Sequence, residues 1–144
     1  MRCVLYGHSE EICAWVAKII PDSDESSFKG AEALGVVSGG RLIAGVVYDN
    51  YSEKFSTMEL SIGSISPMWA RKEIIRELLA YPFVQLGVNR CWAQVEASNH
   101  KAIKADKHIG FTQEAVLRDH FGPNKHGVIL RMLAKDFRRI YENG

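Results

Sequence analysis

Apolar and polar residues recur along this chain in two periods, and the changes of period mark its elements. Arg2 to Tyr6 reads as a short strand. Ser9-Glu10-Glu11 then supplies an N-cap and two acids for the first turn of a helix, where the unpaired N–H groups favour negative charge. Ile12, Trp15, Val16, Ile19 and Ile20 recur at helical spacing, packing on a sheet, and Pro21 ends the pattern. The run 21–27 has no apolar period and reads as a solvated acidic loop, long enough to line a substrate entrance. Ala33 to Ser38 and Arg41 to Tyr48 flank Gly39-Gly40, a two-residue hairpin signal with positive φ open to both residues. Thr57 to Ile65 extends the antiparallel sheet.

Ser66 to Leu79 is the stretch the rest is organised around. It joins the Thr57–Ile65 strand directly to a helix whose apolar face is Ile74, Ile75, Leu78 and Leu79, running to Tyr81-Pro82. Arg71, Lys72 and Arg76 fall in its opening turns, where the helix dipole opposes cations unless an anion sits there. Lys72 and Arg76 also form a like-charge i,i+4 pair that costs roughly 0.2–0.5 kcal/mol if unpartnered. Two readings follow: a phosphate-binding helix start, or an ordinary charged surface in which Glu73 neutralises Arg76 and Glu77 screens the rest.

Arg90 to Val95 is the next strand, Ser98 or Asn99 caps a helix bearing Ala102, Ile103 and Ile109, and Gly110 is its C′ residue. Phe111 to Val116 and Val128 to Leu133 close the chain as strands around a loop over 119–127. The chain is therefore expected to be one domain, 1–144, of mixed α and β structure.

Composition narrows the partners. With 18 Lys and Arg against 17 Asp and Glu the formal charge is +1, which gives no global basis for binding nucleic acid or an anionic membrane, so any anion site is local. The first residues are apolar too briefly for a signal peptide or a membrane span, and a cytoplasmic location is expected. Cys3, Cys13 and Cys91 lack CxxC spacing and sit in apolar runs, as buried thiols do in a reducing compartment. The five histidines have no ligand spacing, so no metal is expected.

The element order resembles that of the GNAT acyl-coenzyme A N-acyltransferase superfamily. Ile65, Pro67, Ala70, Glu73, Ile75, Leu78 and Leu79 stand where its motif reads valine, proline, arginine or glutamine, two glycines and two leucines. Asn99, Ala102, Gly110 and Phe111 match its second motif, and the run from Trp69 to Phe83 resembles small phage and bacterial members with a degenerate pyrophosphate loop. The resemblance implies an α/β (α+β) fold with a mixed, mostly antiparallel six- to seven-stranded sheet, splayed between the fourth and fifth strands and flanked by helices on both faces. It implies an N-acetyltransferase that moves an acetyl group from acetyl-CoA to a primary amine by direct attack in a ternary complex. Small-molecule or peptide amines are the implied partners, without nucleic acid or membrane, and a homodimer is the prior. The alternative is a decayed GNAT-like module with weak or no CoA binding, because Glu73 and Ile75 replace the two glycines and Ala70 the arginine or glutamine.

Site residues follow from the same alignment. Ser64, Ile65, Ser66, Ala70, Arg71, Lys72, Glu73, Ile74, Ile75 and Arg76 occupy the positions that hold the pantetheine arm and pyrophosphate; Asn99 lies near the pantetheine or is simply a helix cap. Glu59, six residues before Ile65, stands where a glutamate base sits in the histone-acetylating branch; a solvated strand carboxylate is the other reading. Period-two alternation puts it on the face of Ser61 and Gly63, opposite Leu60. Asp106 stands in place of the family's tyrosine general acid, with Tyr6, Tyr48 or water as substitutes. Arg118 matches an acceptor-side arginine, and His120 with His126 and Asp119 lines either a substrate loop or a solvated one. Trp69 and Trp92 are expected to pack.

Overall fold

A computed structural model describes residues 1–21, 23–24 and 26–142; Asp22 and Glu25 of the acidic loop lie outside the described residues. The elements are β1 (Arg2–Leu5), α1 (Ser9–Ile19), β2 (Glu32–Ser38), β3 (Arg41–Ser52), β4 (Thr57–Ser64), α2 (Lys72–Ala80), β5 (Arg90–Glu96), α3 (His100–Ile109), β6 (Thr112–Leu117), β7 (Gly127–Leu133) and α4 (Ala134–Phe137). The strands form one seven-stranded sheet in the order β1-β2-β3-β4-β5-β7-β6. All neighbours are antiparallel except β4 and β5, which run parallel and pair only over Thr57–Arg90, Met58–Cys91 and Glu59–Trp92. Beyond Glu59 the two strands part, which gives the splay that the family resemblance implies.

Each face is covered by helix. On one face α1 lies over β2, β3 and β4 through Ile12, Cys13 and Val16, meeting Ala33 and Val47. It comes close because the strands carry glycine beneath it: a Cβ on Gly45 would stand 2.6 Å from Val16 Cγ2. On the other face Val36, Val46, Met58 and Leu60 meet Ile74, Ile75, Leu78 and Leu79 of α2, and the same core continues through Cys91, Ile109, Leu130, Met132 and Phe137. Burying one such aliphatic side chain stabilises by about 1.5–3 kcal/mol, so this layer dominates the fold's stability.

Local departures from the sequence reading have local causes. Ser9 is not the cap of α1: the cap position is His8, without a side-chain bond, and Ser9 Oγ instead accepts from Ala33 N at 3.0 Å, tying the helix start to β2. Cys13 and Cys91 are buried, but Cys3 is exposed on the outer strand, and all three thiols are free. The strand over 57–65 does not run directly into α2: it ends at Ser64, and residues 65–71, including a 3-10 turn at Pro67–Trp69, intervene. Past Ala80, α2 relaxes into a π-helical turn, Tyr81–Gln85, closed by Leu86 N donating to Tyr81 O at 3.1 Å. Pro82 has no N–H to give the Leu78 carbonyl four residues back. The hydroxyl of Tyr48, fully buried in β3, donates to that carbonyl at 2.6 Å instead.

No helix among the described residues is long and apolar enough to cross a membrane. Trp69 is buried in the core, as expected, and Trp92 is half-buried.

Candidate active site

The splay between β4 and β5 concentrates polar chemistry at its base. Glu59 is the last β4 residue paired with β5, and it is only 7% exposed. A buried carboxylate needs hydrogen bonds for both oxygens. Asn50 Nδ2 donates to Oε1 at 2.7 Å, and Gln94 Nε2 donates to Oε2 at 2.9 Å. Asn50 reaches it from the end of β3, at a register shift beyond the Asp49–Glu59 pair; Gln94 reaches it from β5, two residues past Trp92. The far end of the Gln94 amide, Oε1, lies 2.5 Å from His120 Nε2 in the loop between β6 and β7. Two segments thus meet on one buried carboxylate, on the face opposite Leu60, and a third joins it through the Gln94 amide.

The β6–β7 loop is built rather than merely solvated. Asp119 N donates to His126 Nδ1 at 3.0 Å, Asn124 N to Asp119 Oδ1 at 2.9 Å, and Phe121 N to Lys125 O at 2.9 Å. His120 lies on Gly127, where a Cβ would stand 2.7 Å from the ring Cδ2. Arg118 is exposed, and no described residue pairs with it. His126 therefore serves the loop, whereas His120 faces the carboxylate network.

The helix start is organised differently. Ser66 Oγ accepts from Met68 N at 3.2 Å, Pro67 opens the 3-10 turn, and the buried Trp69 anchors it. Arg71 then precedes α2 in an extended conformation with no side-chain cap, and the first intrahelical bond is Ile75 N to Arg71 O at 2.9 Å. The N–H groups of Lys72, Glu73 and Ile74 precede that bond, so the helix itself leaves them open. The Arg71, Lys72 and Glu73 side chains are exposed, while Ile74 and Ile75 are buried in the core and can offer a ligand only their backbone. Ser64 and Ile65 are exposed at the open end of β4, Ser66 and Ala70 are half-buried, and Met68 is 62% exposed.

The charge pairing differs from the surface reading of this helix. Arg76 pairs with Glu142 at 3.0 Å rather than with Glu73, and Glu77 accepts from the Tyr6 hydroxyl. Glu73 makes no hydrogen bond or ion pair with a described residue. The start of α2 therefore keeps two exposed cations, Arg71 and Lys72, beside one exposed carboxylate.

Asn99 caps α3, accepting from Ala102 N at 3.2 Å. Asp106 is 7% exposed on the inner side of α3, and no described group donates to its carboxyl. Burial pushes its pKa from the ordinary 3.8 up to about 7. Two tyrosines carried as substitutes for a general acid are otherwise engaged. Tyr48 is spent on the Leu78 carbonyl, with burial holding its pKa well above the ordinary value. Tyr6 is bound to Glu77, and burial followed by that contact pushes it up to about 12.

Gln94 and Asn50 are the residues that the sequence alone did not single out. Gln94 could be suspected as a polar residue between Trp92 and Glu96 on one face of a strand, but Asn50 depends on the β3–β4 register. No group of three or more His, Cys, Asp or Glu that could hold a metal occurs among the described residues.

Known structures share this architecture. A single-site mutant of the spermidine N-acetyltransferase SpeG from Vibrio cholerae superposes with a TM-score of 0.74 at 16% identity, covering 94% of this chain and 95% of that one. A SpeG chimera of Vibrio cholerae and hSSAT gives 0.70 at 17%, covering 95% and 97%. A structure with only a provisional acetyltransferase assignment gives 0.68 at 21%, covering 79% of this chain and 62% of that one, so the chain spans about three fifths of that protein. Neither a protein-family model nor a curated protein sequence matches the chain. At these identities the likeness is one of fold, and the fold is that of the GNAT acyltransferases.

Proposed function

We propose that the chain is an N-acetyltransferase that joins an acetyl group from acetyl-CoA to a primary amine within a ternary complex. The observation that carries this reading is Glu59: a buried carboxylate, held by two amide donors, at the point where β4 and β5 separate in an acetyltransferase-type fold.

The chain's own groups fit acetyl-CoA in two respects. Past Glu59 the inner edge of β4 has no β5 partner, so residues 60–64 can align an extended ligand as an added strand. The start of α2 offers open N–H groups with Arg71 and Lys72 beside them, which suits a pyrophosphate. Glu73 opposes that charge. Arg76, engaged by Glu142, contributes less than its position in the sequence implies.

In the proposed reaction Glu59 accepts the proton that the amine sheds as its nitrogen bonds to the acyl carbon and the carbon–sulfur bond breaks. Bound acetyl-CoA supplies the thioester, and a thiol of pKa near 8.5 leaves tolerably well as thiolate. The Ser66 backbone N–H, just past the end of β4, is the candidate to polarise the carbonyl, because that of Ile65 already donates to Ile43 O at 3.0 Å. Asp106, pushed up to about 7, holds a proton over part of the neutral range and is the candidate donor to the leaving sulfur. Ser64 to Ile75 and Asn99 line the cofactor side in this reading; Arg118 and His120 line the acceptor side.

Spermidine is the first acceptor to try, because two of the structural neighbours are spermidine N-acetyltransferase proteins. A panel of polyamines, amino acids and peptides with acetyl-CoA, followed by release of free thiol, tests the reading. Amine-dependent thiol release is expected. Its absence across the panel, with no heat of binding at millimolar acetyl-CoA, would favour a module whose coenzyme cleft has decayed, as Glu73 and Ile75 allow.

A further inference from the structure

We propose that Gln94 and His120 are positioning residues that hold the Glu59 carboxylate in place, and that this carboxylate, when ionised, fixes hydrogen on Nε2 of His120 through the Gln94 amide. The catalytic part of this inference rests on Glu59 acting as the base.

The reasoning is a count of donors. An ionised carboxylate has no hydrogen to give, so both amides around it must turn their NH₂ groups inward. Asn50 does so at 2.7 Å and Gln94 at 2.9 Å. Once the Gln94 nitrogen faces Glu59, its oxygen faces His120, 2.5 Å from Nε2. An oxygen there can only accept, so His120 must carry hydrogen on Nε2. A carboxylate thereby fixes an imidazole tautomer through one intervening amide.

A Glu59 that has taken a proton offers an O–H and needs an acceptor, which the Asn50 or the Gln94 amide can supply by turning over. Only the ionised form therefore imposes hydrogen on His120 Nε2.

His120 is held for this task. Its ring lies against Gly127, leaving no room for a Cβ there, and meets Phe121 edge-on at 4.8 Å. The surrounding loop is closed by the Asp119, Asn124 and Lys125 backbone bonds, so the ring is not free to drift from Gln94. The other charged groups near this face are Asp49 on β3, Glu96 on β5, Arg131 on β7 with its partner Glu114 on β6, and Asp119 and His126 in the loop. None of them makes a hydrogen bond to Glu59, Gln94 or the His120 ring.

Histidine ring ¹⁵N spectra of the whole, ligand-free chain at pH 8 test the coupling without reference to activity. Wild type is expected to show His120 as a single neutral tautomer with hydrogen on Nε2; Gln94→Leu and Glu59→Gln are each expected to lose that preference while the backbone spectrum persists. An unchanged His120 signal in folded Gln94→Leu overturns the proposal. In turnover assays with saturating acetyl-CoA, Gln94→Leu and His120→Leu should lower kcat about 10- to 100-fold with the KM for acetyl-CoA unchanged. His120→Gln, which keeps an N–H donor, should recover most of that loss. Full kcat in Gln94→Leu overturns the positioning role. No turnover by wild type on any amine defeats the acetyltransferase reading instead, and the tautomer spectra then still decide whether Glu59 and His120 are coupled.

Discussion

The base of the β4–β5 splay and the start of α2 hold polar groups in opposite ways. Around Glu59 both carboxylate oxygens have donors, the carboxylate is buried, and the donors come from β3 and β5, with the β6–β7 loop joined to them through the Gln94 amide. At Lys72 to Ile74 the backbone donors are open, the charges are exposed, and almost every participant lies within one short run of sequence. The first arrangement is costly to disturb and fixed in geometry, as chemistry requires. The second is a set of open donors that a mobile anion can satisfy, as reversible binding requires. Substitutions in the two regions should therefore separate kcat from KM.

The largest effect is expected at Glu59. Glu59→Gln keeps the shape and one acceptor oxygen but removes the proposed base, and kcat should fall about 10²–10⁴-fold. The KM for acetyl-CoA should stay within a few-fold of wild type. Should KM rise in proportion instead, Glu59 is holding the cleft together rather than taking a proton. The contrast between the two regions would then collapse.

Asp106 is the buried charge without a donor, so it is the counter-example to Glu59 within the same molecule. Its folded pKa, pushed up to about 7 from 3.8, means that the folded state keeps the proton longer than the unfolded chain. Its contribution is therefore most favourable below about pH 4 and is lost as pH rises through about 7. The full loss is about 4 kcal/mol at 1.36 kcal/mol per unit, an upper bound for one buried group. Asp106→Asn should gain stability relative to wild type at pH 8 and little at pH 4, measured by urea unfolding at each pH. A stability difference that does not change between those values would show that the carboxyl ionises as freely folded as unfolded.

How much of this was legible in the sequence follows the same division. The helix start could be read because its residues are neighbours: Pro67, Arg71, Lys72, the alternative partner Glu73 and the apolar face Ile74 to Leu79 all lie in one run. Even there the partner of Arg76 was not legible, since Glu142 lies 66 residues away and comes near only through the fold. Glu59 could be singled out by the family resemblance, through its position six residues before Ile65, but not its burial or its donors. Asn50 depends on a bulge, Gln94 on a parallel pairing only three residues long, and His120 on a loop that bends back over β5. The Tyr48 hydroxyl shows the same limit: Pro82 announces an orphan carbonyl at Leu78, yet nothing local says which residue will satisfy it.

Charge reversal at the helix start should act on binding. Lys72→Glu combined with Arg71→Glu should raise the KM for acetyl-CoA about tenfold and change kcat little. The loss should shrink as salt is raised, because exposed charges are screened over about 10 Å at 0.1 M. A KM that is insensitive both to the substitutions and to salt would move the pyrophosphate away from residues 71–74.

Glu73 gives the smallest effect and the sharpest use of the comparison. Its carboxylate is exposed at the start of a helix, where it complements the dipole by roughly 0.3–1 kcal/mol, yet it also faces the position assigned to a diphosphate. Glu73→Gly removes both interactions and loses helix propensity by about 1 kcal/mol, so stability should fall slightly. If the open N–H groups bind acetyl-CoA against that repulsion, titration calorimetry should show affinity rising about 2- to 5-fold, most clearly at low salt. Unchanged affinity would mean that Glu73 swings clear of the phosphates and that the helix start tolerates an acid at no cost to binding. A rise from no detectable binding to firm binding would mean instead that this one side chain closes the coenzyme site. The Glu59 network would then be an intact catalytic centre behind a blocked door, and acetyl transfer should appear only in Glu73→Gly.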